Sequence, residues 1–288
     1  MKSLREVLAD ADARHVAVGH FNISEIGALK GVFEAARELN VPVLVGVSEG
    51  EREFVGVQQA VALVRSLREE YDYPIFLNAD HTHSLEKIKE AAEAGFDEIL
   101  FDGSKLPMED NIKATKEAVS LIRSINPAIV VEGEIGYIGS SSEIVAERPE
   151  ESLKLSTPEE AARFVRETGI DVIAPAVGNM HGLLKSMVTG GDRKRLEIGL
   201  IGEIKKACGK WMTLHGGSGT ADQDFSAAAQ NGMTIIHVSS ELRLAWRRGM
   251  EQALAGDPAE IAPYKLLGPS VAGIKTIVTN RLKLFNGL

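Results

Sequence analysis

A chain of 288 residues with 44% hydrophobic and 25% charged residues has a globular composition and is long enough to bury a large core. Its formal charge of -9 and pI near 5.4 argue against a nucleic-acid partner, whose phosphates attract basic surfaces. The single cysteine, Cys208, excludes an internal disulfide and suits a reducing, cytoplasmic compartment. It ends the helical pattern before Gly209 and reads as a structural thiol. No stretch approaches the roughly 20 apolar residues of a membrane helix, so no membrane partner is expected.

Leu4, Val7 and Leu8 share one helical face, while charges interrupt every apolar run at the start of the chain. That reads as a short amphipathic helix and not a signal peptide. Short β-rich runs then alternate with longer helical patterns, the signature of repeated βα units. The runs are His15–Asn22, Val41–Ser48, Pro74–His81, Glu98–Ser104, Ala128–Gly136, Asp171–Gly178, Trp211–Gly217 and Thr234–Ser239. Most are continuously apolar, as strands covered on both faces should be.

Helical patterns fall at Glu25–Leu39, Gln58–Glu69, Leu85–Ala94, Met108–Ile125, Thr157–Thr168 and Arg195–Cys208. Thr157 before Pro158 is a good helix start, and Gly95, Gly169, Gly209 and Gly232 stand where helices end. The polar interruption Gly139–Leu155 is expected to be a mobile active-site loop. Eight strand–helix units predict an α/β fold, a (β/α)8 TIM barrel with an N-terminal helix and a C-terminal helical extension. The barrel is expected to occupy residues 1–288 as one domain, with 242–288 as the extension. Leu244, Trp246 and Met250 share one face of that extension, which could meet a neighbouring molecule; packing onto its own barrel is the plainer expectation.

In such barrels the reactive residues gather at the carboxyl ends of the strands, and here they do. The stretch Pro74-Ile75-Phe76-Leu77-Asn78-Ala79-Asp80-His81 is a buried strand delivering an acid and a histidine just before a helix. Other strand ends carry His20, Asn22, Ser48, Asp102, Glu132, Glu134, His181, His215, His237, Ser239 and Ser240; among the histidines His15 is clearly elsewhere. His81, His181 and His215 come from three different strands. Three neutral imidazoles with an open position describe a catalytic zinc site, with Glu134 as a fourth or alternative ligand. A satisfied polar residue is the plainer reading of each histidine alone, and His83 reads as supporting or structural. His181-Gly182 and His215-Gly216-Gly217-Ser218-Gly219 are glycine-rich where strand meets helix, which suits an anion cradle. Ser218, Ser239 and Ser240 would add hydroxyl donors near the usual barrel phosphate site.

These motifs resemble, in order and across nearly the whole chain, the class II zinc-dependent ketose-bisphosphate aldolases, the family of fructose- and tagatose-bisphosphate aldolases. The resemblance rests on Phe21-Asn22, Pro42-Val43 through Gly50, Asp80-His81, Phe101–Ser104, Val131–Gly136, His181-Gly182, His215–Gly219 and Ser240–Arg243. It implies that His81, His181 and His215 hold zinc, with Glu134 near or on the metal. Zinc would polarise the carbonyl of dihydroxyacetone phosphate and stabilise the enediolate. Asp80 would exchange the proton of the C4 hydroxyl. Asn22 and Ser48 resemble substrate contacts. Gly182, Gly216 and Ser218 resemble the phosphate cradle, beside which the family often binds Na+ or K+. A homodimer or homotetramer acting on a small sugar phosphate is implied, with fructose 1,6-bisphosphate as first choice of substrate. Cleavage would give dihydroxyacetone phosphate and glyceraldehyde 3-phosphate.

The chain also departs from the pattern. Thr82 stands where many relatives have glycine, and His237-Val238-Ser239-Ser240-Glu241 replaces Asn-x-Asp-Ser/Thr-Asp. The loop that carries a proton-moving glutamate in the family reads Gly139-Ser140-Ser141-Ser142-Glu143, with Glu143 nearest the required place. A late arginine used by some members for a second phosphate is replaced around Leu267-Gly268-Pro269. These changes keep open tagatose 1,6-bisphosphate, another ketose 1-phosphate, or a metal- and phosphate-binding barrel without turnover. A metal-dependent hydrolase would place its His-x-His pair on the first strand, whereas His81-Thr82-His83 lies on the third. A Schiff-base aldolase needs a desolvated lysine, and the strand runs offer at best Lys105, just past the fourth.

Overall fold

The computed structural model describes residues 2–139, 143–147 and 154–288. Its strands in chain order are β1 (Val18–Asn22), β2 (Val43–Val47), β3 (Ile75–Thr82), β4 (Glu98–Phe101) and β5 (Val130–Ile135). Then come β6 (Ile144–Val145), β7 (Val172–Pro175), β8 (Leu183–Leu184), β9 (Trp211–Leu214) and β10 (Met233–Val238). All but β6 and β8 close a parallel barrel in the order β1-β2-β3-β4-β5-β7-β9-β10. Each of the eight predicted runs contains or overlaps one barrel strand. These strands are buried nearly throughout because helices cover the outer face and side chains fill the interior.

The helices are α1 (Leu4–Ala13), α2 (Ile26–Leu39), α3 (Glu49–Val55), α4 (Val57–Tyr71), α5 (Leu85–Ala94), α6 (Met108–Ile125) and α7 (Pro158–Thr168). They continue with α8 (Lys185–Val188), α9 (Ile198–Cys208), α10 (Asp222–Gln230), α11 (Ser240–Gly256), α12 (Pro263–Leu266) and α13 (Gly268–Asn286). α7 starts as its sequence demands: Thr157 and Glu160 form a reciprocal capping box around Pro158, and Gly169 ends the helix at φ 75°. The helix α3 was not anticipated. It buries Glu51 and Arg52 in place of an apolar face, so it leaves no hydrophobic periodicity to read. Of the polar stretch 139–155, residues 140–142 and 148–153 lie outside the described residues. Within the described part, β6 pairs in parallel with β8, and Leu183 N–H donates to Glu143 O at 2.9 Å.

The N-terminal helix closes the bottom of the barrel. Leu4, Val7, Leu8 and Ala11 of α1 pack with Val18, Leu44, Phe76, Val130, Val172 and Ile235 from six barrel strands. Full burial of one such large aliphatic side chain is worth about 1.5–3 kcal/mol. Arg5 pins this plug to Asp171, donating from Nη1 at 3.0 Å and Nη2 at 2.8 Å. Asp171 also accepts from Arg123 at 3.2 Å and from Val131 N–H at 3.0 Å. Burial works against its charge, but these hydrogen bonds and the two guanidinium charges outweigh burial and hold the carboxyl below its ordinary range.

A depressed carboxyl stabilises the fold above its unfolded pKa of about 3.9 and loses that contribution as pH falls through the folded value. Asp171→Asn should therefore cost about 1–3 kcal/mol near pH 7, the cost of breaking a charged hydrogen-bond set. The gap in urea midpoint between variant and wild type should shrink below pH 4. A gap that stays constant from pH 7 to pH 3 would show that Asp171 does not act through its charge.

The C-terminal extension packs on its own barrel, through Trp246 of the anticipated face and chiefly through α13. Ile274, Val278, Leu282 and Phe285 of α13 are buried in the main core, with α13 packed against α2 and α11. Among the described residues no helix is long and apolar enough to cross a membrane.

Candidate active site

At the carboxyl end of the barrel lies a cavity of about 370 Å³. It is lined by Asn22, Ser48, Asp80, His81, Glu143, His181, Gly182, His215, Gly216, Ser218, His237, Ser239 and Ser240. All the anticipated site residues except Glu134 and Gly217 thus share one wall. Gly217 is a correction to the anticipated phosphate cradle: its N–H donates to His237 O at 3.0 Å and is spent inside the fold.

His81, His181 and His215 each offer a ligand nitrogen, and these nitrogens lie within 4.8 Å of one another. His81 Nδ1 hydrogen-bonds Asp102 Oδ2 at 2.8 Å, and its buried Nε2 has no hydrogen-bond partner. His181 Nε2 is likewise buried without one. His215 Nε2 pairs with Glu132 Oε1 at 2.7 Å, which leaves Nδ1 as its ligand atom. Buried nitrogens without partners are costly unless something binds them. A histidine held on its far side by a carboxylate is the usual arrangement of a metal ligand. The donor set therefore fits a zinc ion. Glu134 Oε2 approaches His81 from the Nδ1 side, at 3.6 Å, grouped with Asp102.

Electrostatics support the same reading. Burial disfavours charge on His81, but Asp80, Asp102 and Glu134 together push its pKa up to about 10. Carboxylates that compensate a proton there would compensate a metal cation. Burial, and then the charge of His81, push His215 down to about 3. Burial likewise holds His181 well below its usual range. Both are then neutral, as ligands must be. Asp80 stays ionised: burial opposes its charge, but His81, His20, His215 and a hydrogen bond from Asn22 hold its pKa well below the carboxylate range. Glu132 moves the other way, to about 8, through burial and the charge of Asp80.

The backbone at Asp80 and His81 is shaped for this task. His81 sits at φ 43°, a left-handed conformation that costs a non-glycine residue about 1–3 kcal/mol. The register of β3 against β4 shifts between Ala79 and Thr82. Buried Arg52 holds the kink, donating to Val47 O at 2.6 Å, Asp80 O at 3.3 Å and Thr82 Oγ1 at 3.0 Å. The positive φ falls on His81, so position 82 needs no glycine, and its hydroxyl instead receives the guanidinium. Asn22 Nδ2 donates to Asp80 Oδ2 at 2.8 Å and to Glu51 Oε2 at 3.0 Å. Glu51 also accepts from Ser48 Oγ at 2.9 Å and Arg243 at 2.7 Å. Asp80 Oδ1 keeps no hydrogen-bond partner.

His237 does not act alone. Its ring stacks on His20, with centroids 3.4 Å apart and planes 3° from parallel, because the register sets His20 opposite His237. A Cβ on Gly46 would lie 2.0 Å from His20 Cε1, so only glycine at 46 admits this imidazole. His20, Asp80 and His237 are also close enough to share a metal. However, parallel stacked rings keep their lone pairs in separate planes, and no single ion lies in both. His83 reaches Asp102 O at 3.2 Å and is half exposed, a supporting position.

The two glycine loops touch each other. Gly216 has φ 63°, and a Cβ there would lie 2.3 Å from Met180 O, so glycine is required for the loop after β9 to touch the one after β7. Ser218 Oγ accepts from Ser239 N–H and Glu241 N–H, both at 3.2 Å. The carbonyl oxygens here do not await a monovalent cation. Lys194 Nζ donates to Met180 O at 2.7 Å, Gly182 O at 2.6 Å and Gly216 O at 3.1 Å. The expected Na+ or K+ does not fit carbonyls already bonded this way. Lys194 is buried but does not line the cavity, so it also offers no Schiff-base amine.

Asp102, Glu132, His20, Glu51, Arg52 and Lys194 thus join the site beyond the residues first singled out. Asp102, Glu132 and His20 stood at strand ends in the sequence, but which histidine each would face depends on register. A family profile described as fructose-bisphosphate aldolase class-II matches residues 2–287. The fructose-bisphosphate aldolase of Staphylococcus aureus strain Mu50 is 33% identical over 286 residues, covering 98% of this chain and 96% of that protein. The probable fructose-bisphosphate aldolase of Bacillus subtilis strain 168 matches at the same identity and coverage. Among solved structures, the YdjI aldolase from Escherichia coli K12 aligns with TM-score 0.79 and 26% identity, over 99% of this chain and 96% of that one. The Campylobacter jejuni fructose-bisphosphate aldolase aligns with TM-score 0.81 at 19% identity, over 98% and 94%, and so bears on the fold alone. Matched from end to end by the profile and by relatives at this identity, the chain belongs to the class II fructose-bisphosphate aldolase family, zinc-dependent carbon–carbon lyases acting on sugar phosphates.

Proposed function

We propose that the protein is a zinc aldolase that reversibly cleaves a ketose 1,6-bisphosphate, fructose 1,6-bisphosphate first, into dihydroxyacetone phosphate and glyceraldehyde 3-phosphate. The observation that carries this reading is the convergence of His81, His181 and His215 beside ionised Asp80 in one cavity with the glycine loops. The three histidines would hold zinc, with Glu134 as neighbour or alternative ligand. Bound zinc supplies a Lewis acid that polarises the substrate carbonyl. Asp80 takes the C4 hydroxyl proton as the carbon–carbon bond breaks and returns it in condensation. Asn22 fixes Oδ2 of Asp80, so Oδ1 is the oxygen that moves the proton. Glu143, on the cavity wall, would move the proton at C3. Asn22, Ser48, His237, Ser239 and Ser240 contact the sugar, and Gly182, Gly216 and Ser218 receive a phosphate.

Composition and family likeness support a single barrel domain over 1–288, working as a cytoplasmic homodimer or homotetramer on a free sugar phosphate. A second substrate reading draws on His237 and Ser239, which line the cavity where the family pattern has asparagine and aspartate. It assigns tagatose 1,6-bisphosphate or another ketose 1-phosphate. The test is steady-state cleavage of fructose and tagatose 1,6-bisphosphates and the 1-phosphates by metal-stripped and zinc-reloaded protein. Zinc-dependent release of triose phosphate from one of them is expected. Tight zinc binding with no cleavage of any would leave a metal- and phosphate-binding barrel without turnover.

A further inference from the structure

Lys194 is 4% exposed, and its ammonium is committed to carbonyl oxygens on both sides of the site. Met180 O and Gly182 O flank His181, and Gly216 O follows His215; all three accept from Nζ at 2.6–3.1 Å. Three acceptors require three N–H donors, which the charged ammonium has and the neutral amine lacks. The backbone of Lys194 is tied to the same region: its N–H donates to Gly219 O at 2.9 Å, and its carbonyl accepts from Ala221 N–H at 3.0 Å. The residue therefore braces the loop after β7 against the loop after β9, the two that present Gly182, Gly216 and Ser218 to the cavity.

Converging main-chain carbonyls are the ligand set of a monovalent cation, and an ammonium matches such an ion in charge and closely in size. A free ion must be captured from solution at each binding, whereas a tethered one is present at fixed stoichiometry. We propose that Lys194 is a built-in monovalent cation: its ammonium occupies the carbonyl site between the two loops, sets their spacing, and makes phosphate binding independent of K+ and Na+. This rests on reading Gly182, Gly216 and Ser218 as the phosphate cradle. Lys194 acts through the loops and is a positioning residue.

The test compares the full-length wild type with Lys194→Met at constant ionic strength in potassium, sodium, ammonium or choline chloride. Thermal midpoint and calorimetric affinity for inorganic phosphate are the readouts, with sugar-phosphate cleavage alongside. The wild type should give the same midpoint and affinity in all four salts. Lys194→Met in choline should bind phosphate about 10–100-fold more weakly, the loss typical of a supporting residue. Potassium or ammonium should restore most of that affinity and raise the midpoint in a saturable way, because an ion bound only by the folded state stabilises it. A wild type that needs potassium for phosphate affinity would overturn the proposal. So would a variant equally impaired in every salt, or one recovered folded in none, since a purely structural lysine is not replaced by a specific ion. If the protein proves not to be an aldolase, cleavage is silent while the midpoint and phosphate readouts still decide.

Discussion

Asp80→Ala should lower kcat for sugar-phosphate cleavage by about 10²–10⁴-fold, the range of a positioned general acid–base group, while bound zinc stays near one per chain. The separation follows from the geometry. Asp80 does not belong to the three-histidine group, whose nitrogens lie within 4.8 Å of one another. Its carboxylate is instead oriented by Asn22 through Oδ2, while Oδ1 makes no hydrogen bond and lies 3.7 Å from His81 Nε2 and from His237 Nδ1. Its backbone carbonyl, which Arg52 grips at 3.3 Å, survives the substitution, so the kink that presents His81 should persist. Metal analysis beside steady-state kinetics checks this. A variant that retains wild-type kcat with zinc bound would remove Asp80 from proton transfer, and one that loses zinc would make it part of the metal site.

The architecture was readable because parallel strands covered on both faces are apolar runs, and eight of them punctuated by helical patterns admit few arrangements. The candidate ligand histidines were readable because barrel chemistry gathers at strand ends. What could not be read depended on register and on loops. The stacking of His20 on His237 requires knowing that β1 and β10 are neighbours that close the barrel. Gly46 reads in the sequence like any strand glycine, and only the packing of His20 against it sets it apart. Lys194 lies in Gly190-Gly191-Asp192-Arg193-Lys194-Arg195, a polar stretch that reads as solvated surface. Its burial comes from carbonyl acceptors contributed by two distant loops, and a carbonyl leaves no mark in the sequence.

The departures on and after β10 fall together in space. His237 and Ser239 line the cavity, and His20 stands directly behind His237. Thr82 has a separate cause, its bond with Arg52. His20, Gly46 and His237 are thus one structural unit, an imidazole pair and the glycine that makes room for it. Together they shape the face of the cavity near Asp80 and leave the three candidate ligands in place. Substrate choice is where such a change should be felt.

His181→Ala should abolish tight zinc binding and lower cleavage by roughly 10³-fold or more. A Lewis acid contributes several kcal/mol to the transition state, and each 1.4 kcal/mol or so is tenfold in rate. His181 is the most informative of the three histidines to remove. His81 holds Asp102 and sits in a strained backbone conformation, and His215 holds Glu132, so deleting either strands a buried carboxyl group. The Nε2 of His181 has no hydrogen-bond partner, and its backbone N–H still donates to Ile138 O at 2.8 Å after substitution. The variant should therefore fold with a thermal midpoint close to that of the metal-stripped wild type. Zinc stoichiometry after dialysis, read with that midpoint, gives the decision. Full zinc occupancy in folded His181→Ala would mean that the ion is held by another grouping, of which His81 with Asp102 and Glu134 is the first to test.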